Sequence, residues 1–166
     1  YQEDLMQYCA KGEDPRFGVV PFAISAKVTP SFKESVKELP DAAWNMYHEV
    51  DERGHVFPTE HEWAEVGFVP NWVGHKKDNP EYRFIAIRER LHEPPNDLEA
   101  LPFPTIEYHP VIYKLFSVVT NRFDLSGEEL IRWHRQRCGK SEEVHKFQKI
   151  DLACAHLPSK YFGSNA

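Results

Sequence analysis

The chain is poor in paired cysteine. Its three cysteines, Cys9, Cys138 and Cys154, are odd in number and none sits in a C-x-x-C pair. That spacing offers no disulfide framework and no C-x-x-C metal or redox motif, and it suits a reducing, cytoplasmic setting. Small core residues are the expected role of the three. No run of about eighteen apolar residues is present, so no membrane partner is expected, and no signal peptide is recognisable. Positive charge is also short. Lys and Arg total 20 against 26 Asp and Glu, a formal net charge of −6. Such a chain does not grip nucleic acid over its whole surface, although a local basic patch remains open to it. Internal repeats and low-complexity tracts are absent. The chain starts at Tyr1 without methionine, and a fragment with material missing at both ends is expected.

What is present supports folding. Hydrophobic residues make up 41% and charged residues 28%, a balance that separates this chain from disordered ones. A length of 166 residues suits one ordinary domain or a core with one insertion. The 13 prolines cluster between residues 58 and 110, where short elements and irregular connections are expected.

Residues 2 to 11 have Leu5, Met6 and Cys9 on one face and Gly12 as a stop, which predicts a short amphipathic helix. Residues 17 to 28 are apolar on both faces and predict a buried strand; Pro21 cannot donate to a ladder, which puts that strand at a sheet edge or on a bulge. Thr29 then reads as a helix N-cap with Pro30 at the first helical position, the helix stopping before Pro40. From Trp44 onward the stretches 44–50, 62–69, 81–91 and 106–120 are rich in β-branched and aromatic residues. They predict antiparallel strands joined by sizeable loops, with no helix of three turns among them. Ser126 is the expected cap of a last, long helix, with Glu128 and Glu129 in its first turn, where the helix dipole favours acids.

Several motifs begin well and fail. Gly139-Lys140-Ser141 resembles the end of a phosphate-binding loop, but that loop needs a glycine where His134 stands. His61-Glu62 starts like a zinc-protease helix, yet Glu65 occupies the place of the second histidine and the surroundings read as strand. His134, His145 and His156 recur every eleven residues; solvated or capping roles suit them better than a shared metal. Lys76, Lys77, Arg88 and Arg90 are interleaved with Trp72, Tyr82 and Phe84, which suits either contact with a nucleic-acid backbone or a solvated sheet face.

The segment His134–Lys149 organises the rest. As one helix it places Arg135, Glu142 and Lys149 at seven-residue steps on one face. Leu130, Trp133, Val144 and Phe147 fall roughly opposite. One face can therefore dock on a core while the other presents a carboxylate flanked by cations. By composition alone, a solvated face with weak ion pairs is the better account of this pattern.

The segment from Asn121 to Ala166, NRFDLSGEELIRWHRQRCGKSEEVHKFQKIDLACAHLPSKYFGSNA, resembles the C-terminal part of the catalytic domain of DDE-type transposases of bacterial insertion sequences. In that family a glutamate on a late helix follows an aromatic or His and an Arg, and precedes a Lys by seven positions. His134, Arg137, Glu142 and Lys149 fill those places. Four residues separate Arg137 from Glu142 where the commoner pattern has three. Either Arg135 takes the arginine role, or one extra residue beside Gly139 is absorbed as a π-bulge that restores a shared face for Arg137 and Glu142. DPRFGVVPFAISAKVT is similar to the edge strand that follows the family's second catalytic aspartate. The stretches EWAEVGFVP and EYRFIAIRER are similar to its β insertion.

The resemblance implies an α/β or α+β fold: a partial RNase H-like core interrupted by an antiparallel β insertion. Residues 1–43 would be core, 44–116 the insertion, and 117–166 the last strand end and the helix returning to the core. It implies cut-and-paste DNA transposition by metal-dependent strand cleavage and transfer, in the bacterial cytoplasm. Glu142 would be the catalytic and metal-binding residue, with Mg²⁺ or Mn²⁺ as cofactor. His134, Arg135, Arg137 and Lys149 would bind DNA phosphate, the partner being double-stranded transposon-end DNA. The family's two aspartates would lie upstream of Tyr1, since Asp4, Asp14, Asp41 and Asp51 lack the matching context. The fragment alone is therefore expected to be inactive and to bind no metal, and to self-associate through the edge strand at 17–28. The competing expectation is a non-catalytic DNA-binding or protein-interaction β-rich module.

Overall fold

The computed structural model describes residues 2–71, 73, 79–93 and 101–146; the side chains of Gln2 and of residues 137–146 lie outside that description. Two compact units are distinguished, residues 1–131 and residues 132–166, and each is treated by itself.

Helix α1 spans Gln2–Lys11 and ends at Gly12, whose φ of 68° is the left-handed conformation that a helix stop favours. Among the described side chains of this helix only Met6 is buried; Cys9 and Ala10 pack at the margin of the same cluster. The predicted strand over 17–28 shrinks to β1, Ala23–Ala26. Residues before it form a tight turn closed by Gly18 donating to the Asp14 carbonyl, and Phe17 and Val19 stand exposed. Apolar composition suggested a buried strand there, but Gly18 at φ 58° and Pro21 break the ladder. Helix α2, Pro30–Lys37, starts as expected. Thr29 is extended and its hydroxyl accepts from the Phe32 amide, with Pro30 in the first turn. Phe32 and Val36, four apart, are its buried stripe.

After a 3-10 turn at Asp41–Ala43 come β2 (Asn45–Val50), β3 (Val56–Val66), β4 (Arg83–Arg90), β5 (Thr105–Tyr108) and β6 (Val111–Thr120). The fold is α+β: one six-stranded antiparallel sheet with helices. Its order is β1-β6-β4-β3-β2, with β5 also paired to β6. Strands from all three sequence segments share this sheet, because Ala23–Ala26 pairs with Ser117–Thr120 and β6 runs on to pair with β4 and β5.

Two strand expectations change. The single strand over 106–120 is a hairpin turned at His109-Pro110. The proline there cannot donate to a ladder, which is the sequence signal for the break. Strand β3 starts six residues before the expected Glu62, at Val56. Pro58 is tolerated because β4 pairs with β3 only from His61 onward, so among the described residues β2 is the one strand paired with residues 56–60.

Residues of β4 alternate cleanly. Phe84 and Ala86 join Met6, Phe32, Val36, Ala64, Val66, Leu115 and Val119 in the core under α1 and α2. Ile85 and Ile87 point to the other face and are also buried. A sheet covered on both sides reads as continuous apolar sequence, which is what FIAI shows. The second face carries Trp63, opposite Ile87 in the register. Gly127 lies so close to Trp63 that a Cβ on it would overlap the indole. There α3, Gly127–Lys146, begins, with Leu130 and Ile131 fully buried.

Candidate functional site

Helix α3 is set by local chemistry at its start. The Ser126 hydroxyl accepts from the Glu129 amide at 3.2 Å, and the Glu129 carboxylate accepts in return from the Ser126 amide at 2.9 Å. This reciprocal capping box satisfies donors that a helix start leaves open. The S-x-x-E spacing of Ser126 and Glu129 is its signal in the sequence. Glu128 additionally lies 3.7 Å from the His48 ring on β2.

A second device, with no local sequence signal, anchors the loop leading into α3. Arg83 on β4 pairs with Glu65 across the ladder. Its Nη1 donates to the Leu125 carbonyl at 2.6 Å and to the Arg122 carbonyl at 3.4 Å. Its side chain is only 10% exposed. Arg122 in turn pairs with Asp124, whose carboxyl is held below the usual range by that guanidinium. The entry to α3 is thus tied to the sheet by hydrogen bonds to backbone, which resist rotation better than a lone side-chain ion pair.

Within the second unit, α3 is a regular α-helix through Lys146, with no π turn. The π-bulge expected beside Gly139 is therefore corrected: the backbone ladder closes i to i−4 throughout. On such a helix Arg137 and Glu142, five apart, sit about 140° apart around the axis. Arg135 and Glu142, seven apart, differ by only about 20°. The helix brings position 135, and not position 137, onto the face of position 142. His134 and Arg135 are half-buried and engaged by neighbours. Arg137 and Glu142 are placed by backbone alone, and Lys149 lies outside the described residues.

Of the basic residues read in the strand region, Arg88 is not at the surface. Arg88 is 7% exposed, so it cannot be a backbone-gripping surface cation. Its Nε donates to Glu62 at 2.7 Å, and its guanidinium carbon stands 4.0 Å from the Trp44 ring centroid and 4.6 Å from that of Tyr113. Burial raises the Tyr108 hydroxyl, the dominant effect, while the nearby Arg88 charge opposes it. Arg90 is exposed; Lys76, Lys77 and Trp72 lie outside the described residues. The His61-Glu62 stretch is strand, as its surroundings implied. His61 sits 3.6 Å from Glu89, which also lies 3.6 Å from Lys114, a charged row across β3, β4 and β6.

Two of the weighed aspartates have structural occupations. Asp14 accepts from the Arg16 side chain, from the Arg16 amide and from Tyr8, and chiefly the first holds its carboxyl below the usual range. Asp51 accepts from the His55 and Arg53 amides, each at 2.8 Å. Among the described residues no group of three or more His, Cys, Asp or Glu side chains converges as a metal site. A two-ion centre needs carboxylates from more than one element, so the described residues do not by themselves fit one. No described helix is long and apolar enough to cross a membrane. No protein-family model, no curated protein and no solved structure matches this chain.

Proposed function

We propose that this chain is the C-terminal part of the catalytic domain of a DDE-type DNA transposase of a bacterial insertion sequence. In this reading α1, β1 and α2 belong to an RNase H-like core, the remaining strands to its β insertion, and α3 carries the catalytic Glu142. The observation that supports it best is the regular α3 helix, which puts positions 135 and 142 on one face at a two-turn spacing. The same step reaches Lys149 in the sequence. Of the two arginines, Arg135 takes the phosphate-binding role beside Glu142; position 134 lies about 80° and position 137 about 140° from position 142 around the axis.

Glu142 would hold one carboxylate toward Mg²⁺ or Mn²⁺, which would supply charge stabilisation at the attacking and leaving oxygens. The other two carboxylates are assigned to aspartates upstream of Tyr1. Asp14 and Asp51 are committed to turns, which supports looking outside this segment. The segment by itself is then inactive, and the parent acts on double-stranded transposon ends in the cytoplasm.

The test is Mn²⁺-dependent nicking of supercoiled DNA by the parent protein. Glu142→Gln is expected to lower the rate at least about a hundredfold, an order typical for loss of one catalytic charge-stabilising group, while Glu143→Gln stays near the parent rate. Equal rates for parent and Glu142→Gln overturn the assignment. Nicking by the isolated segment, lost in Glu142→Gln, overturns its inactivity.

A second reading, a protein-interaction β module, is favoured by one observation. The β2–β3 hairpin exposes Val56 and Phe57 to solvent.

A further inference from the structure

Helix α1, strand β1 and the segment after β3 enclose an open cavity of about 530 Å³ over β4 and β6. Protein interiors leave few voids larger than a water molecule, whereas small-molecule sites run from about 300 to 1,000 Å³. The apolar wall is Met6, Ile24, Phe68, Phe84 and Val119. Ile24 and Val119 are directly opposed across the β1–β6 ladder, so their side chains lie on one face. Phe68 meets Phe32 and Phe84 edge to face, with ring centroids 5.3 and 5.1 Å away. A wall fixed by such packing stands before any ligand arrives, which lowers the cost of binding.

The polar lining divides into committed and uncommitted groups. The hydroxyls of Thr29 and Ser31 bond each other at 3.0 Å, and Thr29 also accepts from the Phe32 amide at the start of α2. Glu3 on α1 and Lys27 just after β1 are the two charged residues of the lining. Both are exposed and, among the described residues, neither is ion-paired.

One carboxylate and one ammonium, carried by separate elements, thus border a single apolar cavity. A phosphate or a fatty acid would meet the like charge of Glu3, and a simple amine would meet that of Lys27. A molecule with an ammonium at one end, a carboxylate at the other and an apolar body between them meets an opposite charge at both.

We propose that this cavity binds a small zwitterion with an apolar body, of the size of an apolar dipeptide. Its ammonium faces Glu3, its carboxylate faces Lys27, and its side chains pack on Met6, Ile24 and Phe68. This inference does not depend on the transposase reading.

The experiment is amide NMR of the whole chain titrated with the dipeptide leucyl-phenylalanine, with its N-acetylated, C-amidated form as comparator. The free dipeptide is expected to shift the amides of residues 24–29 and 67–69 saturably, and the capped form to bind about tenfold more weakly. Lys27→Met and Glu3→Gln, both at exposed positions, each weaken binding of the free dipeptide about threefold, as loss of an exposed ion pair does. Ile24→Thr, which keeps both charges and the branched shape, weakens it several-fold; circular dichroism checks the fold of all three variants. No saturable shift of these amides, equal affinity for the free and capped forms, or unchanged affinity in both charge variants overturns the proposal.

Discussion

The Arg88 guanidinium carbon lies 4.0 Å from the Trp44 ring centroid. The same group donates to Glu62 at 2.7 Å, so a nearly buried cation is held by one carboxylate and by ring faces. Cation–π contacts strengthen when water is excluded, and the planar guanidinium suits stacking in a way an ammonium does not. Removing Glu62 leaves this charge without its carboxylate partner. Glu62→Ala is expected to destabilise the fold by about 2–3 kcal/mol. Arg88→Lys is expected to lose about 1–2 kcal/mol through lost stacking. Urea unfolding followed by tryptophan fluorescence checks both. A change below the error of the midpoint in each would show that the cage contributes nothing.

The start of α3 rests on two residues that hold each other. Ser126→Ala removes the hydroxyl that accepts from the Glu129 amide and is expected to destabilise by about 1 kcal/mol. Ser126→Asp keeps an acceptor there and is expected to stay near the parent. Thermal melts of the two variants distinguish capping from a general effect of changing the loop.

Gly127 faces Trp63 with no room for a side chain. Gly127→Ala raises intrinsic helix propensity, yet overpacking against the indole is expected to win, with a net loss of about 1–3 kcal/mol. A stabilised Gly127→Ala would mean that α3 starts away from the sheet.

Acid should open the hairpin tip before the rest of the fold. The His55 amide is the first cause holding the Asp51 carboxyl below its ordinary value. A depressed carboxylate stabilises the folded turn fully above its unfolded pKa of about 4, and that contribution is lost as pH falls through the lower folded value. Amide exchange at Arg53 and His55 is expected to accelerate, relative to core amides, below about pH 4. Uniform acceleration across the sheet would count against a local carboxylate effect.

The two arginines of α3 should part company. If position 135 shares the working face with position 142, Arg135→Ala lowers duplex-DNA affinity of the parent and reduces the salt slope by about one unit. Arg137→Ala is expected to have the smaller effect. The reverse ranking, measured by fluorescence anisotropy at several salt concentrations, would assign the role to Arg137.

Much of the local architecture was legible. Thr29-Pro30 and Ser126 are where caps belong, and each caps its helix. The regions around 44–50 and 81–91 formed strands close to their expected limits, because β-branched and aromatic runs bounded by turn residues leave few alternatives. The candidate site was legible as a seven-residue spacing but not as a choice between Arg135 and Arg137. That choice depended on whether the backbone carries an extra residue, and sequence periodicity does not report helix type.

Segments 17–22 and 56–60 depart from their sequence pattern for opposite reasons. Phe17 and Val19 looked buried and are exposed, since a glycine turn withdraws their backbone from the sheet. Val56 and Phe57 looked like loop and are strand, since β2 supplies a partner that no local pattern names.

The sequence by itself determined where α2 and α3 begin and that the stretches around 44–50 and 81–91 are strands. These are set by interactions within a few residues, where hydroxyls, prolines and side-chain period act directly on the backbone. Only the tertiary structure decided that Arg88 is a buried, caged cation and that Arg83 anchors the entry to α3. Each depends on strands brought together from at least eighteen positions apart, and register between distant strands is settled by packing.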